Sequence, residues 1–185
     1  MKNIFFILLT SCWFSVIAQY YNGSNVVFGQ NRVQYNTFFW QSYDFQRFKL
    51  HFTKGGKKNA IYIAKKAHIY QQKLEEFLDF QCDEKLHFIV YNTQSKFRQS
   101  NIGLTNDINS NIGGTARIEG EKIFLYFNGD HNDLNKQIKG GIAEILVNKI
   151  LYGDDWKQTI KNSSFINLPL WFKNGLIDYL AKDWD

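Results

Sequence analysis

The sequence predicts an α+β fold, α/β-like in the alternation of its elements, with a small mixed β-sheet packed by helices. Three observations carry this. Apolar and polar residues alternate over residues 48–52 and again over 85–91, the period of a strand. Between them, residues 60–80 place Ile61, Ala64, Ala67, His68, Gln71, Leu74 and Leu78 near one face at helical spacing. Two more helical stretches, 133–151 and 168–181, fill the second half of the chain.

The N-terminus reads as an export signal. Lys2 supplies a positive n-region, residues 4–17 are almost continuously apolar, and Val16-Ile17-Ala18 offers a peptidase cleavage site. The predicted signal is 1–18, with Gln19 as the mature first residue. The apolar run is shorter than the ~20 residues a membrane span needs. Leu9-Thr10-Ser11-Cys12 is a rival lipobox, but the apolar run continues beyond Cys12 through Trp13, Phe14, Val16 and Ile17. Membrane association is expected only if Cys12 is lipidated. If Cys12 leaves with the signal, Cys82 is the one remaining thiol and no intrachain disulfide can form. The mature chain, 19–185, is long enough for one domain held by its core.

The elements then follow in order. Residues 19–36, rich in Asn, Gln, Gly and Tyr, read as an extended lead-in. The first strand turns at Lys54-Gly55-Gly56-Lys57 into the long helix. In the second strand Leu86, Phe88 and Val90 alternate with His87 and Ile89. Thr93 or Asn92 is placed to cap a short helix through Phe97 and Arg98. Residues 101–114 are Asn- and Gly-rich loop. Residues 115–118 and 122–127 form a hairpin about Glu119-Gly120. Asp133 is expected to cap the next helix, which Gly153 ends, and Pro169 sits in the first turn of the last.

Composition excludes several classes. The formal net charge is +5, with Lys and Arg scattered and only Lys57-Lys58 and Lys65-Lys66 adjacent. Nucleic-acid binding wants a concentrated basic patch. Asn111-Ile112-Gly113-Gly114 lacks the G-K-[ST] of a phosphate loop. Ser163 and Ser164 have no nucleophile-elbow pattern. Cys82 has no recognisable His partner and reads as a buried inert thiol.

Four stretches carry a family resemblance. They are Phe28-Gly29-Gln30-Asn31-Arg32-Val33-Gln34-Tyr35 with Phe39-Trp40, then Ile89-Val90-Tyr91-Asn92 with Phe97 and Gln99, then the helix of 133–153, and lastly Leu168-Pro169-Leu170-Trp171-Phe172-Lys173-Asn174-Gly175-Leu176-Ile177-Asp178-Tyr179. In these the mature chain resembles the peptidase MA-like (gluzincin) domains of exported bacterial proteins, which usually continue into a TolB-like β-propeller. The resemblance implies the N-terminal half of a gluzincin, zincin-like fold. It also implies a zinc centre. Active members carry H-E-x-x-H on a helix, two His binding Zn²⁺ and the Glu acting as general base, and W-x-x-E-G, whose Glu is the third ligand.

Carried over, the first His falls on Gly140, the general base on Gly141, the second His on Glu144 and the third ligand on Asn174. Glycine coordinates nothing, Asn is a poor Zn²⁺ ligand, and one Glu cannot hold the ion. Two glycines inside a helix cost about 1 kcal/mol each against Ala, so a kink or a helix beginning at Ile142 is expected. The four imidazoles, His51, His68, His87 and His131, form no i, i+3 or i, i+4 pair; His131, before the third stretch, is the one placed to approach Glu144. The resemblance matches Asp178, one turn beyond Asn174, to an acidic residue behind the metal ligands; here it reads as a solvated or hydrogen-bonded carboxylate.

The expectation is therefore an exported pseudo-metallopeptidase without catalytic residues, resident metal or cofactor, serving as a cell-envelope binding or scaffolding module for an unknown protein partner. The alternatives are a metallopeptidase with displaced ligands and a truncated remnant of a longer peptidase–propeller protein. In a gluzincin the active-site helix lies in a seam between two halves. Ile142, Leu146, Ile150, Trp171, Phe172 and Leu176 are thus expected to leave an open apolar face able to self-associate, unless 101–114 and 153–167 fold over it.

Overall fold

The computed structural model describes residues 35–100, 102, 117–153 and 168–182. The predicted signal at 1–18, Cys12, Asn111-Ile112-Gly113-Gly114, Ser163 and Ser164 lie outside them. The described elements are β1 (Trp40–Asp44), β2 (Phe48–Thr53), α1 (Lys57–Leu78), β3 (Leu86–Tyr91), α2 (Gln94–Phe97), β4 (Arg117–Glu119), β5 (Lys122–Tyr126), α3 (His131–Tyr152) and α4 (Leu170–Ala181). The strands make one mixed sheet in the order β1-β2-β3-β5-β4. β2, β3 and β5 run parallel, and the edges β1 and β4 are antiparallel to their neighbours. The protein is thus α+β, as its pattern predicts.

Parallel neighbours need a long crossover, and α1 supplies it between β2 and β3. One sheet face presents Phe48, Leu50, Phe52, Leu86, Phe88, Val90, Ile123 and Leu125, and onto these pack α1 through Ala60, Ile63, Ala67 and Leu74 and α3 through Leu134, Ile138, Ile142 and Leu146. α4 lies on α3, with Leu180 entering the same core. The other sheet face is also buried at one end. There Ile89, Tyr91, Ile102 and Phe124 meet Phe38, Trp40, Phe97 and Tyr126. Trp40 and Phe38 both stand edge-on to Tyr91, at 5.3 and 5.7 Å between ring centroids, pairs worth about 0.5–1.5 kcal/mol each beyond their burial.

Ion pairs pin the ends of these elements. Buried Glu75, near the end of α1, accepts from Arg47 Nη2 at 2.5 Å, from the Cys82 amide at 3.2 Å and from Gln71 Nε2 at 3.2 Å. One carboxylate so ties α1 to both the start of β2 and the approach to β3. Lys149 of α3, almost wholly buried, meets Glu84 at 2.7 Å.

The structure departs from the sequence reading in five places. β1 is an additional strand, a short edge that the pattern does not announce. The buried stripe of α1 is rotated, with Ala60, Ile63 and Tyr70 inside and Ile61 and His68 outside. The cap of α3 is Asp130, whose side chain accepts from the Asn132 amide at 2.8 Å; Asp133 instead holds Asn128 and Gln137. The β4–β5 register pairs Glu119 with Lys122, so the two-residue turn is Gly120 and Glu121, with Gly120 at φ 65°. Positive φ at the first central residue alone is the demand of a type II′ turn.

The fifth departure concerns the glycine pair. α3 neither kinks nor begins at Ile142; it runs unbroken from His131 to Tyr152. Gly141 has a packing reason. A Cβ built there would lie 2.5 Å from Ile123 Cγ2, so the helix approaches β5 more closely than any side chain permits. Gly141→Ala should therefore destabilise the protein by up to about 2 kcal/mol, because overpacking at ~1–3 kcal/mol outweighs the ~1 kcal/mol helix gain. Gly141→Ala combined with Ile123→Ala should cost clearly less than the sum of the two single changes in denaturant unfolding. A stabilised Gly141→Ala protein would contradict the close approach.

Candidate functional site

α3 is seated on the sheet before its central turns are reached. Gln137 Oε1 accepts from the Tyr126 amide at 3.2 Å, and Asp133 holds the Gln137 amide group at 3.2 Å. This fixes the rotation of the helix and so the faces on which the motif positions fall. Gly140 and Gly141 are both buried. Gly141 is turned to β5 and closed by Ile123. Glu144, one turn beyond Gly140, is half-buried.

α4 runs antiparallel alongside. Near one end Lys139 Nζ donates to the Lys182 carbonyl at 3.0 Å. Near the other, Lys173 Nζ lies 5.9 Å from the centroid of the Tyr152 ring. Lys173 is close enough to Glu144 for the carboxylate to oppose the lowering of its pKa by burial. Asn174, the next residue, is also half-buried. The seam of α3 and α4 thus brings Glu144 to the side of a lysine, while the position matched to the general base faces elsewhere. Asp178 is bound by Lys182 one turn on, a surface pair worth at most about 1 kcal/mol.

The imidazoles lie apart from this seam. His51 and His87 are on the sheet face opposite α3, their rings stacked at 5.8 Å with 9° between planes. His68 is exposed on α1. His131 is the first residue of α3 and not part of a preceding loop. Its ring lies 4.4 Å from Tyr62 and 5.1 Å from Phe127. Thirteen residues at 1.5 Å rise put it about 20 Å along the helix from Glu144, so it does not approach that residue. Cys82 is buried, burial pushes its thiol pKa up, and it packs as a small apolar side chain.

A zinc ion does not fit these residues. The donor set offers one carboxylate and one neutral amide, where catalytic zinc needs about three protein ligands. At Gly141, the position that the resemblance matches to a general base, an added Cβ would lie 2.5 Å from Ile123 Cγ2. Among the described residues no group of three or more His, Cys, Asp or Glu could share an ion. Compared with known protein families, with curated proteins and with solved structures, the chain has no match.

The stacked histidines were not singled out by any motif, because a lone His in an alternating strand gives no local signal. They have a thermodynamic consequence. His51 is 4 % exposed. Burial holds its pKa down to about 4, helped by His87, Lys49 and Lys122 and opposed by Asp44. His87 is lowered by burial and the same two lysines, opposed by Glu121 and Asp44. A histidine harder to protonate folded than unfolded lends stability that is complete above the unfolded pKa near 6.5 and is lost as pH falls toward 4. Between pH 7 and pH 4.5 His51 should account for a loss of about 2–3 kcal/mol. Urea unfolding of His51→Asn should show that much less pH dependence than the parent. An unchanged pH profile would contradict the assignment.

Proposed function

We propose that the protein is an exported, non-catalytic pseudopeptidase-like domain that works as a binding or scaffolding module of the cell envelope. The observation that carries this reading is the closed site of Gly141. In the resembling enzymes this position holds the general base, which must reach a metal-bound water. Here the helix face at that position is packed against Ile123, and a carboxylate could enter only by displacing that side chain from the core. The neighbouring positions agree. Gly140 offers no donor, and the Glu144 carboxylate is close enough to Lys173 to favour its charged form. Export rests on Lys2, the apolar run of 4–17 and Val16-Ile17-Ala18.

A protein of this kind uses its fold for recognition, and its buried groups serve stability. The purified protein should hold substoichiometric zinc by elemental analysis after incubation with the metal and brief gel filtration. It should release no fragment from a mixed peptide library. About one retained zinc per chain, with peptide cleavage abolished by a chelator, would establish the metallopeptidase with displaced ligands instead.

A further inference from the structure

The outward side of α1 carries one sign of charge. From Lys57 to Lys73 the helix holds five lysines, at 57, 58, 65, 66 and 73, and no Asp or Glu. The sequence spaces these residues apart, and the helix gathers them. Ala60, Ile63, Ala67, Tyr70 and Leu74 are buried. At 100° per residue the opposite direction passes through Lys58, Lys65 and Ile69, with Ile61 and Lys73 to either side. Lys57, Lys58, Lys65 and Lys73 are all exposed. Among the described residues no carboxylate pairs with any of these four. The acidic residues of α1, Glu75 and Glu76, follow Lys73, and buried Glu75 is held by Arg47. Two apolar side chains stand among the lysines. Ile61 and Ile69 are 43 % and 44 % exposed, and Lys65 lies midway between them on the same ridge.

Lysines without counter-charges suit an anionic partner, and isoleucines between them suit one with hydrocarbon just beneath its charge. We infer that the outward face of α1 lies on the surface of an anionic phospholipid bilayer. The lysines stand at the level of the lipid phosphates, and Ile61 and Ile69 reach the boundary with the acyl chains. A nucleic-acid backbone would engage the lysines and leave both isoleucines in water, so the apolar pair decides between the two. The core side of α1 stays packed on the sheet, because only the solvent side makes the contact. Each lysine near an anionic surface strengthens partition roughly fivefold. The attachment is therefore reversible, set by lipid charge and weakened by salt. It requires no lipid on Cys12. Nor does it rest on the closed site at Gly141, since a catalytic protein would carry the same helix.

Co-sedimentation of the purified protein with phospholipid vesicles tests it. The expected result is binding to phosphatidylcholine vesicles that contain phosphatidylglycerol, little binding to pure phosphatidylcholine, and release as salt is raised. Lys58→Gln with Lys65→Gln should lower the partition coefficient roughly twenty-five-fold. Ile61→Gln with Ile69→Gln should lower it by about tenfold. Both variants should keep the circular dichroism of the parent, since all four side chains are on the solvent side. No binding to the anionic vesicles would overturn the inference. Equal binding to neutral vesicles would do the same and point to the apolar run of 4–17. So would binding that the lysine changes leave intact. Binding that the lysine changes abolish and the isoleucine changes spare would mark a site for a soluble polyanion instead. Elemental analysis of the same sample reads the metal separately, so either conclusion can fail alone.

Discussion

The close approach of α3 to β5 at Gly141 is the constraint on which the rest of the molecule depends. Helix on sheet is the layer that builds the core, and the distance between the two is set where the side chain is smallest. With Ile123 Cγ2 occupying the space of a Cβ, α3 sits low enough for Ile138, Ile142 and Leu146 to be wholly buried. The same approach brings Gln137 within reach of the Tyr126 amide. It also shuts the helix face on which a general base would stand. One packing contact thus stabilises the fold and closes the helix face at Gly141.

The polar interior reinforces that arrangement from the far ends of the elements. Lys149–Glu84 fixes the C-terminal part of α3 to the segment before β3, and Arg47–Glu75 fixes α1 to β2. Each pair has one buried partner, Lys149 or Glu75, and one that reaches solvent, Glu84 or Arg47, so removing the solvent-facing partner leaves a charge in the interior without its counter-ion. Across the sheet, His51 and His87 occupy the polar end of a face whose other end is aromatic. The two sheet faces therefore respond to different conditions, the helical one to packing and the histidine one to pH. The expected open seam is only partly open: Ile142 and Leu146 are buried, Leu176 is partly covered, and exposure is confined to Ile150 and the outer face of α4.

Much of the fold is legible in the sequence wherever a period is carried by unambiguous residues. β3 shows itself through Leu86, Phe88 and Val90, and Thr93 does cap α2, accepting from the Lys96 amide at 3.2 Å. β1 is not legible because Trp40-Gln41-Ser42-Tyr43-Asp44 pairs on one side only and is mostly exposed, so no alternation marks it. The stripe of α1 is misplaced because Ile61 and Ile63 are equally apolar, and only packing against the sheet and α3 chooses between them. The glycine pair shows its cost in the sequence but not its cause, since Ile123 is distant along the chain. The neighbourhood of Glu144 and Lys173 depends wholly on how α4 lies on α3, which no local pattern encodes.

The central claim is that α3 cannot offer a metal-binding face while it packs on β5 as it does. The most direct measurement is thermal unfolding, with and without zinc, of a variant carrying Gly140→His, Gly141→Glu, Glu144→His and Asn174→Glu together. The account predicts a protein less stable than the parent whose unfolding temperature zinc does not raise, because the glutamate at 141 displaces the helix before a ligand set can form. A ligand that binds the native state must raise that temperature by mass action. A zinc-dependent rise with one ion bound per chain would contradict the account and show that the helix still faces an open cleft.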